Sequence, residues 1–190
     1  MVVEKSIIYF DKPGEVNTDR VLEAAKKRAD ELGIRDIVVA STRGGTGVKA
    51  VEAFKGYNVV VVTHSAGFRE PGGQELEGAA AEKIRKGGGK ILTTGHPTAG
   101  IDRAIRSKFD TVGYSEIVAQ TLRLLCQGMK VVVEIAAMAA DAGLIPADKD
   151  VVAIAGSSRG ADTAVVIKPA NSMRLFDLVV REIIAKPSAL

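Results

Sequence analysis

The 190-residue sequence predicts a three-layer α/β fold, a mostly parallel sheet with helices on both faces, and three observations carry that expectation. Short β-branched runs alternate with amphipathic stretches, the pattern of strands joined by helical crossovers. Within the runs successive residues are apolar, as strands buried on both faces require. Several runs end in turns rich in Gly, Ser and Thr that open directly into a helical pattern. A chain of this length is expected to form one domain, residues 1–190.

Taken in order, Ser6 to Phe10 is the first strand, ended by Asp11-Lys12-Pro13-Gly14. Asn17 or Thr18 caps a helix that reaches Leu32, with Val21, Leu22, Ala25 and Ala29 on its apolar stripe and Gly33 as its stop. Asp36 to Ala40 is a buried strand, Ser41 to Gly47 a glycine-rich turn, and Val48, Val51 and Phe54 mark the helix after it. Asn58 to Thr63 forms the next strand. A polar loop, 64–73, leads to a helix from about Gln74 to Lys86, which Gly87-Gly88-Gly89 ends. Lys90 to Thr93 is a further strand, followed by the loop 94–100 and a short helix with Ile101, Ala104 and Ile105 facing inward.

From Ser115 to Gly143 the pattern is helical and strongly apolar, with Gly128 as the expected break. Glu134 stands in a stretch that is apolar almost all round. A buried carboxylate there either bonds backbone or a cation structurally, or faces a polar pocket. Asp150 to Ala155 is another buried strand, and Gly156 to Thr163 repeats the glycine, hydroxyl and arginine chemistry of the earlier turn. Ala164–Ile167 and Leu175–Val180, the latter lengthened by Ile183 and Ile184, read as edge strands.

Composition narrows the function. Apolar residues make up 46% and charged residues 26%, a globular balance, and the formal net charge is only +3, without a basic block. With 4% aromatic residues and no motif, nucleic-acid binding has little support. No run of about 18 apolar residues and no signal-like start point to a membrane or to export, so a cytoplasmic protein is expected. The single cysteine, Cys126, excludes an internal disulfide and reads as buried packing.

The turn at 41–47 carries the most specific chemistry. The first amides of a helix lack intrahelical acceptors and, with the helix dipole, suit an anion. Ser41, Thr42 and Thr46 add hydroxyls, Arg43 adds a planar cation, and Gly44, Gly45 and Gly47 let backbone approach a ligand closely. Two nucleotide motifs fit poorly. Gly45-x-Gly47-x-x-Ala50 matches a dinucleotide fingerprint, but Thr63-His64 stands where a ribose-binding acid is wanted, and the Gly-Lys-Ser/Thr ending of a Walker loop is absent. Right-handed crossovers put the carboxyl ends of the parallel strands on one edge. Loops 11–18, 41–47, 64–73, 94–100 and 156–163 then converge there, where open sheets bind ligands. No compact His/Asp/Glu motif accompanies Glu134 and the two histidines, so no metal is expected.

Two segments resemble a known domain. DIVVASTRGGTGVKAVEAFKGYNVVVVTH is similar to the strand, turn, helix and strand of the pyruvate kinase C-terminal domain whose turn holds a phosphate of the allosteric effector, and VVAIAGSSRGADTAVVIKP is similar to that domain's final strand, turn and strand. Arg43 precedes Gly44 here, the reverse of the kinase order. No catalytic barrel is present, so the likeness does not imply phosphoryl transfer from phosphoenolpyruvate. Over nearly its whole length, including VVVEIAAMAADAGLIP, the chain is similar to stand-alone proteins of pyruvate kinase C-terminal-like fold that are associated with flavin mononucleotide (FMN) and have no established reaction.

The resemblance implies FMN as cofactor and Ser41, Thr42, Arg43, Gly44, Gly45 and Thr46 as the phosphate cradle. Shared sheet-edge position adds Asn17, Thr18, Thr63, His64, Gly67, Thr94, His96, Gly156, Ser157, Ser158, Arg159 and Thr163 around the rest of the ligand. The expected partner is a small phosphorylated ligand, with homo-oligomer formation left open. A sensor of phosphorylated sugars is the alternative, and no catalytic residue is assigned.

Overall fold

The computed structural model describes residues 2–188. Seven strands form one sheet: β1 (Ile8–Phe10), β2 (Asp36–Ala40), β3 (Asn58–Thr63), β4 (Lys90–Thr93), β5 (Val151–Ala155), β6 (Thr163–Lys168) and β7 (Val179–Pro187). Their order is β1-β7-β6-β5-β2-β3-β4, and β6 alone runs against the others. The helices are α1 (Thr18–Leu32), α2 (Gly45–Ala53), α3 (Gly78–Lys86), α4 (Gly100–Phe109), α5 (Tyr114–Arg123) and α6 (Gln127–Asp141).

The β-branched runs form the middle of the sheet because their alternate side chains fill two different cores. Ile37, Val39 and Val61 pack under Val21, Ala25, Phe54 and Ile84 of the α1, α2 and α3 layer. Val38, Val60 and Val62 face Met129, Val132 and Ala136 of α6 on the other side. At about 25 cal/mol per Å² of apolar surface removed from water, this two-sided burial is what holds the sheet edge rigid enough to position a site. No helix among the described residues is long and apolar enough to cross a membrane.

Four expectations change. β6 and β7 are interior strands, because β5 and β6 form a hairpin and β7 pairs antiparallel to β6 and parallel to β1, which is the true edge. Residues Ser172–Asp177 form a 3-10 turn, anchored where Ser172 N donates to Asp141 Oδ1 at 2.9 Å, so the last strand starts only at Val179. The long helical segment breaks at Leu124–Cys126, before Gly128; Cys126 Sγ accepts from Met129 N at 3.3 Å and caps α6. Gly128 lies inside α6, where a Cβ would collide with Thr163. Finally, α4 buries no residue, and Ile101 faces outward with 79% of its surface exposed.

Candidate functional site

The carboxyl ends of β1 to β5 lie along one edge, and the loops that follow them are 11–17, 41–44, 64–77, 94–99 and 156–162. Between β2 and β5 the strand order reverses, since β2 is followed by β3 on one side and β5 by β6 on the other. A crevice forms at such a reversal. Here it is a cleft of about 1480 Å³, lined by the turn after β2, by both histidines, by Gly156–Gly160, and by side chains of α4, α5 and α6.

The turn after β2 is built from its own sequence. Ser41 Oγ accepts from Gly47 N at 3.0 Å, and Gly44 O accepts from Val48 N at 2.9 Å, so these two amides are satisfied. Gly45 and Thr46 remain as first-turn amides without intrahelical acceptors, and both line the cleft. Gly44 sits at φ 103°, a left-handed conformation, with Ala80 of α3 against the position a Cβ would take. Arg43 is exposed beside these amides and forms no ion pair with any described residue. Ser41 thus supports the turn with its lone pair while its own proton stays free to donate.

A second turn is locked to the first loop of the chain by Asp162, which is fully buried. Its Oδ2 accepts from Gly14 N at 2.8 Å and Ser157 N at 3.0 Å, and its Oδ1 accepts from Thr163 Oγ1 at 2.8 Å. Thr18 Oγ1 accepts from Ala161 N at 3.0 Å, a second tie between the same loops. Ser157, Ser158 and Arg159 are left facing the cleft.

The histidines follow β3 and β4, whose ends are joined by Thr63 Oγ1 and Thr93 Oγ1 at 2.7 Å. His64 Nδ1 lies 2.7 Å from Glu75 Oε2, and its Nε2 is 3.4 Å from Thr42 Oγ1. Phe68 stacks on the His64 ring at 3.9 Å, and the Arg103 guanidinium lies 4.6 Å from the Phe68 ring centre. His96 Nδ1 lies 3.1 Å from Glu134 Oε2, while its Nε2 accepts from Ser65 N at 3.4 Å. Each ring nitrogen of both histidines thus has a partner within the protein, and His64 Nε2 is the one that faces the turn after β2, through Thr42.

Glu134 resolves both of the readings open to it. It is buried, it accepts from Lys130 Nζ at 2.5 Å, from Thr98 N at 3.2 Å and from the Thr98 hydroxyl, and it also lines the cleft floor. Burial pushes its carboxyl up, but His96, Lys130 and Thr98 outweigh that and hold it down at about 2. Glu75 is likewise held below the usual carboxylate range, first by its hydrogen bond from His64 and with help from Arg69, against the opposing effect of burial. Among the described residues no group of three or more His, Cys, Asp or Glu is arranged to hold a metal.

Of the residues expected from sequence, Thr18, Ser41, Thr42, Arg43, Gly45, Thr46, Thr63, His64, His96, Gly156, Ser157, Ser158 and Arg159 line the cleft. Asn17, Gly44, Gly67, Thr94 and Thr163 do not. Asn17 Nδ2 donates to Lys12 O, Gly67 shapes the loop after β3 at φ 78°, Thr94 is exposed, and Thr163 is buried behind Gly128. The sequence reading missed Phe68, Glu75, Arg103, Arg123 and Lys130, which reach the cleft from a loop or from α4, α5 and α6. Only Lys130 left a signal, as the i, i+4 partner of Glu134 in an apolar helix.

The family model for the pyruvate kinase alpha/beta domain matches residues 19–167. Among solved structures the chain is similar to a pyruvate kinase from Cryptosporidium parvum, at 12% identity and a TM-score of 0.38, covering 78% of this chain and 22% of that one. A second Cryptosporidium parvum pyruvate kinase structure matches at 14% identity and 0.36, covering 76% and 21%. A third, of that species' enzyme in complex with ADP, matches at 14% and 0.39, covering 94% and 25%. The chain thus spans between a fifth and a quarter of the length of those enzymes.

Proposed function

The chain belongs to the pyruvate kinase alpha/beta domain family, and from that premise we propose that its cleft binds a phosphorylated small molecule, with the phosphate on the turn 41–46. One observation carries the reading: the first-turn amides of Gly45 and Thr46, which lack intrahelical acceptors, line the cleft beside Arg43, which pairs with no described residue, while Gly47 and Val48 N are already satisfied within the turn. Such a turn is built to receive an anion.

FMN is the proposed guest. Ala40, Val62, Val131 and Ile135 give the cleft apolar wall, and Phe68 and His64 add flat rings, so an aromatic ligand with a phosphate tail fits the lining chemistry. When bound, FMN supplies redox chemistry. The chain's own part would be to hold the phosphate on Arg43 and the turn and to set the ring against the apolar wall beside His64 and Phe68.

Arg159, on a separate turn and also without an ion pair to any described residue, favours a second reading in which a sugar bisphosphate spans Arg43 and Arg159. Thermal unfolding with FMN, riboflavin and a sugar bisphosphate separates the two. Stabilisation by FMN and not by riboflavin is expected, since a ligand at 100 times its Kd adds about 2.7 kcal/mol. Stabilisation by the bisphosphate alone would replace FMN with the sugar reading, and none by any of them would overturn the phosphate site.

A further inference from the structure

α4 and α5 leave an apolar surface that no described part of the chain covers. Ile101, Ile105 and Phe109 recur at helical spacing along α4, yet the helix buries nothing. Phe109 is 69% exposed, and the connection to α5 adds Val112 at 62% and Tyr114 at 90%. α5 buries only Ala119; its Ile117 and Leu124 point outward and, with Val112, Gln120 and Thr121, line a recess of about 300 Å³. Helices of about ten residues do not hold themselves together in water, and an amphipathic stripe needs a covering surface. Leu125 extends the patch. At 150–250 Å² for a buried aromatic and somewhat less for an aliphatic side chain, the exposed fractions amount to roughly 800 Å². That exceeds the largest patch of a typical monomer and equals what each partner contributes to a standard interface.

We propose that a second copy of this chain docks on the α4–α5 face by two-fold pairing. Charge and area decide the occupant. Over residues 100–125 Arg103, Arg106, Lys108 and Arg123 are nearly matched by Asp102, Asp110 and Glu116, with Arg106 already paired to Glu116 within the chain, so the face lacks the basic excess that a membrane-seeking helix carries. A two-fold axis sets the patch against itself, so the recess of one copy receives the outward side chains of its partner. The same two helices send Arg103, Gln120 and Arg123 into the cleft, so docking would also fix one wall of the ligand site. This inference stands independently of which ligand the cleft takes.

The test is light scattering with size exclusion between about 1 and 100 μM on the wild type, on Phe109→Asp with Leu124→Asp, and on Val16→Asp as an exposed control outside the patch. The wild type and the control are expected at twice the chain mass, and the double variant at half that mass with cooperative unfolding retained. A wild type at single-chain mass throughout, or an assembly that survives the double substitution, overturns the proposal. Should the double variant not fold, hydrogen exchange of the wild type decides: protection of residues 101–125 that rises with concentration supports the interface, and protection independent of concentration refutes it.

Discussion

Replacing Glu134 by Gln removes the charge at the floor of the cleft and nearly preserves the shape. In the folded protein the carboxyl is held at about 2 against an ordinary 4.5, so its folded state is the one that favours the ionised form. A depressed carboxyl stabilises the fold fully above its unfolded value and loses that contribution as pH falls through the folded value. The window is therefore pH 4.5 to about 2, and the size is about 3 kcal/mol at 1.36 kcal/mol per pH unit. Lys130, which is buried, and His96 face the carboxylate and lose their partner in the variant. Urea unfolding of wild type and Glu134→Gln between pH 2 and 7 measures the difference directly. Glu182 is also held at about 2, by Arg28 above all and by Lys5, but it titrates in both proteins and cancels in the comparison. The expected gap is about 3 kcal/mol at pH 6, shrinking to near zero by pH 2. A gap that does not change with pH would refute the reasoning, because it would mean that lost packing, not charge, sets the cost.

Three further predictions follow from single contacts. Asp162→Ala leaves the amides of Gly14 and Ser157 and the Thr163 hydroxyl without their acceptor, so chemical unfolding should register a loss of about 3–5 kcal/mol, whereas Asp162→Asn, which keeps one acceptor oxygen, should lose less than half of that. Arg43→Ala should weaken a phosphorylated ligand by about 1.5–3 kcal/mol in calorimetric titration while leaving urea stability unchanged, since Arg43 has no ion pair within the described protein. Gly44→Ala places a Cβ against Ala80 at φ 103° and should lower thermal stability by about 1–3 kcal/mol together with phosphate affinity; a neutral effect would show that the turn is not fixed in its left-handed form.

The central sheet was legible because burial on both faces leaves an unmistakable mark. Ile37 to Val39, Val59 to Val62 and Val151 to Ile154 are apolar without alternation, and only a strand between two layers calls for that. Loop placement follows from the alternation of strands and helices, which puts the turns at Ser41 and Gly156 on one edge. The order of the outer strands was not legible. That β1 rather than β7 lies at the edge depends on Ile8 pairing with Ala185, a contact between the two ends of the chain that no local pattern encodes. For the same reason Arg103, Arg123 and Phe68 escaped notice, since tertiary packing alone brings them to the cleft. Glu134 was visible as an anomaly in an apolar helix; its partners His96 and Thr98, on a distant loop, were not.

The phosphate assignment at residues 41–46 is tested most directly by amide chemical shifts of isotope-labelled protein titrated with FMN. Large shifts are expected at Gly45 and Thr46, with smaller ones at Ser157 to Arg159 and near His64, and riboflavin should leave Gly45 and Thr46 unmoved. Shifts confined to other parts of the surface, or equal responses of Gly45 and Thr46 to FMN and riboflavin, would contradict it.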